Sequence, residues 1–236
     1  NLAIAGIAVG TVSLPVLSKY LKKRSFSKVS NIQNKSIELC LLLSIPASVG
    51  LTIASQEIVN GLFGYGSFTP EDVKMTSKAL KLFAYGVVAF ASIKILANFF
   101  FARDNTKTPF YISSFIVFLN VSISLSFFSS IGFLIIPLAT SISTWAGVII
   151  YLYLLKRSNF LLLQKKLVYS VLKIIFCTII MSITLQTLLN YYTNYLDYNY
   201  MYKLIYLLII ICFVGIIYLL FCYLLGLLKI RNYKTN

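Results

Sequence analysis

The chain has 236 residues, of which 59% are hydrophobic and only 11% charged, and its mean hydropathy is +0.86. A water-soluble domain carries about a quarter charged residues, so a soluble globular fold is excluded. The net charge of +15, from 21 Lys plus Arg against 6 Asp plus Glu, would fit nucleic acid if the cations formed one surface patch; they lie instead in short connectors between apolar runs, the pattern of an all-α integral membrane protein.

Seven stretches are long and apolar enough to cross a bilayer as helices, at about 1–17, 36–55, 79–102, 109–129, 131–155, 167–189 and 201–228. The first begins at Asn1 with no basic region before it and no small-residue cleavage site, so it is not a signal peptide. It reads as a helix whose beginning lies upstream, and the chain as a fragment. After it come Lys19, Lys22, Lys23, Arg24, Lys28 and Lys35. Glu38 then opens the second span, where an anion suits a helix N-terminus. Pro46 lies inside that span and is expected to bend it.

The glycines of Gly61-Leu62-Phe63-Gly64-Tyr65-Gly66 follow no strand and do not form a dinucleotide fingerprint, so a re-entrant turn is the better reading than a phosphate cradle. Thr69-Pro70-Glu71-Asp72 reads as N-cap, first-turn proline and early acids, opening the helix that leads into span three. Spans four and five, Phe110 to Leu155, hold no charge, and Ser129, Ser130 and Gly132 mark the turn between them. Pro137 is expected to bend span five. Small and hydroxyl residues, Gly6, Ala8, Gly10, Thr11 and Ser13 in span one and Thr140, Ser141, Ser143, Thr144 and Gly147 in span five, allow close helix packing. They serve bundle packing or sliding between states. A tyrosine-rich junction, Tyr191 to Tyr206, separates the last two spans, as amphipathic rings prefer headgroup depth.

Basic connectors alternate with mixed or neutral ones. Arg103, Asp104 and Lys107 follow span three; Lys156, Arg157, Lys165 and Lys166 follow span five; Lys229, Arg231 and Lys234 form the tail. Only Asp197, with Lys203 at its far edge, lies between spans six and seven. The positive-inside rule then places the basic connectors and the C-terminus in the cytoplasm.

Catalytic chemistry is poorly supported. There is no histidine, so no Ser–His pairing can form, and no acid lies deep in a span. Ser92 and Lys94 are two apart and do not face each other on a helix. Cys40, Cys177, Cys212 and Cys222 show no metal-ligand spacing and read as small buried apolar residues. Catalytic residue, cofactor and metal site are all expected to be absent. Lys94 is the one charge well inside a span, nine positions before Arg103 and so roughly 13 Å from the helix end. A cation at such depth faces water, pairs or snorkels. It either lines a hydrated cavity that attracts an anionic substrate or reaches for the interface. Phe101-Ala102-Arg103-Asp104-Asn105-Thr106-Lys107-Thr108-Pro109 reads as a tight cytoplasmic connector, Asp104 bonding free turn amides and Pro109 in the first turn of the next helix. Direct substrate contact by these charges is the alternative.

Three strings, GTVSLPVLSKYL (Gly10 to Leu21), LFGYGSFTPED (Leu62 to Asp72) and IKILANFFFARDNTKTP (Ile93 to Pro109), with ELCLLLSIPASVGL (Glu38 to Leu51) in register between them, resemble the MurJ/MviN family of lipid II flippases in bacterial peptidoglycan synthesis. The resemblance covers residues 1 to about 157; beyond it only two apolar hairpin helices match in number and placement. It implies a fourteen-helix fold of the multidrug/oligosaccharidyl-lipid/polysaccharide exporter type, with two six-helix lobes around a cationic cavity and two additional C-terminal helices. The chain would then comprise a partial C-terminal lobe, 1–157, and the two additional transmembrane helices, 158–236, working beside a missing N-terminal lobe. Lys94 matches a lysine of the family's tenth helix, whereas Asn98 stands where many members carry proline. Implied substrate-binding residues are Lys94, Arg103, Asp104 and Lys107. The implied partners are a polyprenyl-diphosphate-linked saccharide, lipid II, and membrane lipid; the implied place is the bacterial inner (plasma) membrane. A flippase for another polyprenyl-linked saccharide and a non-transporting membrane scaffold remain as alternatives.

Overall fold

The computed structural model describes residues 4–161 and 163–228. The basic tail, Lys229, Arg231 and Lys234, lies outside these residues, as do Asn1 and the side chains of Gly6 and Ala8. Among the described residues the regular structure is helical throughout: α1 (Ile4–Lys22), α2 (Phe26–Ile53), α3 (Ser55–Phe63), α4 (Pro70–Ala84), α5 (Val87–Phe101), α6 (Lys107–Ile131), α7 (Ile135–Arg157), α8 (Lys165–Tyr191) and α9 (Lys203–Leu224). Five apolar stretches have the length and hydropathy to cross a bilayer, and one of them, Lys107–Arg157, is 51 residues long. It folds back at Gly132, φ 69°, so that α6 packs along α7. With α1, the predicted seven arms are accounted for.

One boundary differs from the expectation. Span two begins ten residues early, because α2 starts at Phe26 and runs 28 residues, about 42 Å. That exceeds the hydrocarbon thickness of about 30 Å, so the polar Ser27–Lys35 segment extends the helix past it. Glu38 therefore lies inside α2, not at its start, and its carboxylate meets Lys35 Nζ at 3.0 Å one turn earlier. Span three starts at the predicted cap. Thr69 Oγ1 accepts from the Asp72 amide at 3.3 Å, while the Thr69 amide donates to Asp72 Oδ2 at 2.9 Å, a reciprocal box that satisfies two free donors.

Span three is also broken, between α4 and α5. The carbonyls left over at the break are taken by side chains of neighbouring helices: Ser141 Oγ donates to Leu82 O at 2.7 Å, Ser48 Oγ to Ala84 O at 2.7 Å and Trp145 Nε1 to Tyr85 O at 2.9 Å. In lipid such carbonyls have no water to turn to. Gly86 permits the approach, since a methyl group there would come within 2.8 Å of Ser141 Oγ.

The prolines do not act alike. Pro137 is the third residue of α7, a first-turn position where an amide has no intrahelical acceptor anyway, not the helix interior that the sequence suggested. Pro46 lies well inside α2 and cannot donate to the carbonyl four residues back. That carbonyl, Leu42 O, instead accepts the Tyr218 hydroxyl of α9 at 2.7 Å.

Two apolar cores share α2. One gathers Leu17, Cys40, Ile95, Phe99, Phe100, Tyr151 and Leu155 from α1, α2, α5 and α7. The other gathers Leu42, Ile174, Cys177, Met181, Leu207, Val214 and Tyr218 from α2, α8 and α9. Cys40, Cys177 and Cys222 are buried as expected, but Cys212 is exposed on α9, because its position in α9 faces away from α8.

Candidate functional site

The connectors α1–α2, α5–α6 and α7–α8 and the end of α9 gather at one end of the bundle, and each helix there stops in the same way. After α5, the Asp104 amide bonds Phe101 O at 3.0 Å and the Asn105 amide bonds Phe100 O at 3.1 Å. Equivalent pairs follow α1 (Arg24 to Leu21, Ser25 to Tyr20), α7 (Asn159 to Lys156, Phe160 to Leu155) and α9 (Gly226 to Tyr223, Leu227 to Cys222). This Schellman closure puts one residue in the left-handed region. Glycine fills that place only after α9; Arg24 (φ 53°), Asp104 (φ 58°) and Asn159 (φ 54°) fill it elsewhere.

Asp104 is exposed and makes the turn by its backbone. The expected side-chain bond to turn amides belongs to its neighbour: Asn105 Oδ1 accepts from the Thr108 amide at 3.1 Å, and Asn105 Nδ2 donates to Thr108 Oγ1 at 3.0 Å. Arg103 is half-buried. Its guanidinium donates to Phe99 O at 2.6 Å and Phe160 O at 3.0 Å, and lies 4.3 Å from the Phe160 ring centre. Gln33 Nε2 donates to the same Phe160 carbonyl at 2.8 Å, so Arg103 and Gln33 together hold the α7–α8 linker. Lys107 is exposed beside Thr106, Phe110 and Tyr111, as Pro109 enters the first turn of α6.

Lys94 stands apart from this end. Around it α5 is buried at Ala89, Ala91, Ile95, Leu96, Phe99 and Phe100, while Lys94 itself is exposed. It makes no hydrogen bond or ion pair among the described residues. One turn further, Asn98 packs so closely on α1 that a methyl group at Gly10 would come within 2.6 Å of its Nδ2. Ser92 is bonded back to Val88 O at 2.7 Å and has no contact with Lys94. An unpaired cation seven residues before the end of α5, roughly 10 Å along the helix, is costly against hydrocarbon. Either this face of α5 lies against water, a charged ligand or further protein, or the side chain reaches for the interface. The structure thus brings Arg103, Asp104 and Lys107 to one connector and leaves Lys94 about two and a half turns away along α5.

Sequence reasoning overlooked the most enclosed cation among the described residues. Lys203, at the start of α9, is 1% exposed. Its Nζ donates to Gly64 O at 2.6 Å, Tyr198 O at 2.7 Å and Asn60 Oδ1 at 3.2 Å. The rings of Tyr65 and Tyr198 cover it at 4.2 and 4.7 Å. A lone lysine within a tyrosine run was the available signal, since cations seek aromatic faces. At the same end, the pKa of the Glu57 carboxyl group on α3 is pushed up from its ordinary range by burial, and its Oε2 has no hydrogen-bond partner among the described residues. Among the described residues no three His, Cys, Asp or Glu side chains gather in a way that would hold a metal ion.

Comparison with known proteins gives one consistent result. The profile of the family described as "Lipid II flippase MurJ" matches residues 1–208. A probable lipid II flippase MurJ of Rickettsia prowazekii is 35% identical over 201 residues, covering 85% of this chain and 39% of that protein. One from Buchnera aphidicola subsp. Baizongia pistaciae is 30% identical over 235 residues, covering 98% of this chain and 46% of that protein. A solved structure of lipid II flippase MurJ in an inward closed conformation superposes with a TM-score of 0.74 at 28% identity, over 95% of this chain and 44% of that one. The chain therefore spans less than half the length of the relatives it matches.

Proposed function

The chain belongs to the lipid II flippase MurJ family of multi-pass membrane proteins, and from that premise we propose that it is the C-terminal part of a transporter that moves lipid II across the bacterial inner membrane. Residues 1–157 form part of the C-terminal lobe, and residues 158–236 add two further helices. The observation that carries the reading is Lys94, an exposed cation midway along α5 that has no hydrogen bond or ion pair among the described residues. With an N-terminal lobe opposite, that face closes a cationic cavity. A diphosphate headgroup entering it meets Lys94 in a setting of low dielectric, where unlike charges attract far more strongly than in water. The polyprenyl chain stays in lipid, and rocking of the lobes exposes the cavity to the other face. No bond in the substrate breaks.

The basic end lies in the cytoplasm. There Lys107 meets the arriving headgroup at the cavity mouth, with Asp104 beside it. Arg103 acts as a positioning residue, spending its donors on Phe99 and Phe160 carbonyls.

The test uses the completed protein, joined to its N-terminal lobe. Lys94→Met is expected to abolish complementation of a flippase-depleted strain while the protein still reaches the membrane, and Lys94→Arg is expected to keep part of it. Full complementation by Lys94→Met would remove the proposed role and favour a scaffold that does not transport.

A further inference from the structure

The C-terminal helix pair is attached to the rest of the chain on one side only. Helix α8 packs on α2, and α9 packs on α8 and α3. Near the middle of α9, Tyr218 reaches Leu42 O of α2 at 2.7 Å. At the basic end, the link of α9 is an exposed one to its own partner helix, Lys173 Nζ to Leu225 O at 3.1 Å. At the opposite end the attachment is of another kind, because a charged group is enclosed there.

We propose that Lys203 is a buried latch that fixes the start of α9 to the α3–α4 corner, so that α2, α3, α8 and α9 move as one body. The ammonium has three donors, and all three are used, on oxygens of Asn60, Gly64 and Tyr198. Two of these belong to the α3 corner, so pulling α9 away takes from the ammonium two of its three acceptors. The corner is shaped for the contact. Any side chain at Gly64 would collide with Asn60, whose Oδ1 is a latch acceptor, and a methyl group at Gly61 would come within 3.1 Å of Leu207 on α9. Asn60 Nδ2 also donates to Leu196 O at 2.8 Å, and Tyr198 Oη to Phe68 O at 2.7 Å. Both bonds tie the α8–α9 junction to the same corner. Hinging of the pair at this end requires all these bonds to open together; hinging at the basic end does not.

The experiment needs no transport, so its failure is separate from failure of the flippase reading. Purified chain in lipid nanodiscs is treated with an amine-reactive acetylating reagent, and lysine modification is followed by mass spectrometry. Lys74 and Lys78, exposed on α4, serve as references. Lys203 is expected to react at least about tenfold more slowly than either, as protection through rare local opening requires. Asn60→Ala is expected to raise its rate toward theirs. Spin labels at Leu62 and Ile205, both exposed, are expected to give a narrow distance distribution that broadens in Asn60→Ala and in Lys203→Met. Equal reactivity of the three lysines in the parent chain overturns the proposal. So does an Asn60→Ala chain in which Lys203 stays protected and the distances stay narrow.

Discussion

Three helix ends here use residues other than glycine in a left-handed turn, and that choice has an energetic consequence. A left-handed residue with a Cβ carries a steric cost of about 1–2 kcal/mol, which Asn and Asp partly escape through local bonding. Arg24 has no such relief. Arg24→Gly is therefore expected to stabilise the chain by about 1 kcal/mol, seen as a higher unfolding midpoint in detergent; a lower midpoint would mean that the arginine side chain holds the α1–α2 turn. Glu57 shows the opposite relation between a residue and its surroundings. Burial raises its carboxyl pKa, so the folded state holds the proton more tightly than the unfolded one. The stability this group contributes is complete below its unfolded pKa and declines as pH rises through the folded value. Glu57→Gln is accordingly expected to raise the unfolding midpoint at pH 7.5 and to leave it nearly unchanged at pH 4, by thermal denaturation at both. An equal shift at both values would place the effect outside ionisation.

At the scale of elements, the helices were legible because bilayer thickness imposes its length on the apolar runs. What was missed sits at their ends and breaks. The Ser27–Lys35 segment is polar enough to read as a loop, yet it continues α2. At the α4–α5 break Gly86 is the one local mark, and the carbonyls there are satisfied by Ser48, Ser141 and Trp145 from elsewhere in the chain. Pro46 was visible as a proline in an apolar run, but its partner Tyr218 lies 172 positions later, one turn of sequence separation short of the bond to Leu42 at 176. That pairing can be measured. Tyr218→Phe is expected to cost about 1 kcal/mol, between the average of about 0.6 and the maximum of about 1.7 found for interhelical bonds in membranes. In a Pro46→Ala background the restored amide satisfies Leu42 O, so the same substitution is expected to cost much less. The double-mutant cycle should thus show coupling; additive effects would mean that the phenol acts by packing alone.

At the scale of the whole molecule, the chain separates its polar work between two ends. The basic end closes four helices with one backbone motif and ties its linkers together through Arg103 and Gln33; the other end encloses Lys203 among tyrosines. The basic end was readable in the sequence because connector charge alternates along the chain. The caged lysine was not, since enclosure depends on α3 and α9 meeting across 139 positions. Lys94 lies between these cases. Its depth was countable from the sequence, but its exposure follows from which faces of α5 the neighbouring helices cover. The same asymmetry sets the direction of the protein in the membrane, because cations resist transfer across it. Single cysteines placed at Lys23 and Ser67, with the four native cysteines replaced by serine, therefore make a direct test in intact spheroplasts. An impermeant maleimide is expected to label the Ser67→Cys protein and to spare the Lys23→Cys protein until the membrane is broken. The reverse pattern would turn the basic end outward and remove the role proposed for Lys107 at a cytoplasmic cavity mouth.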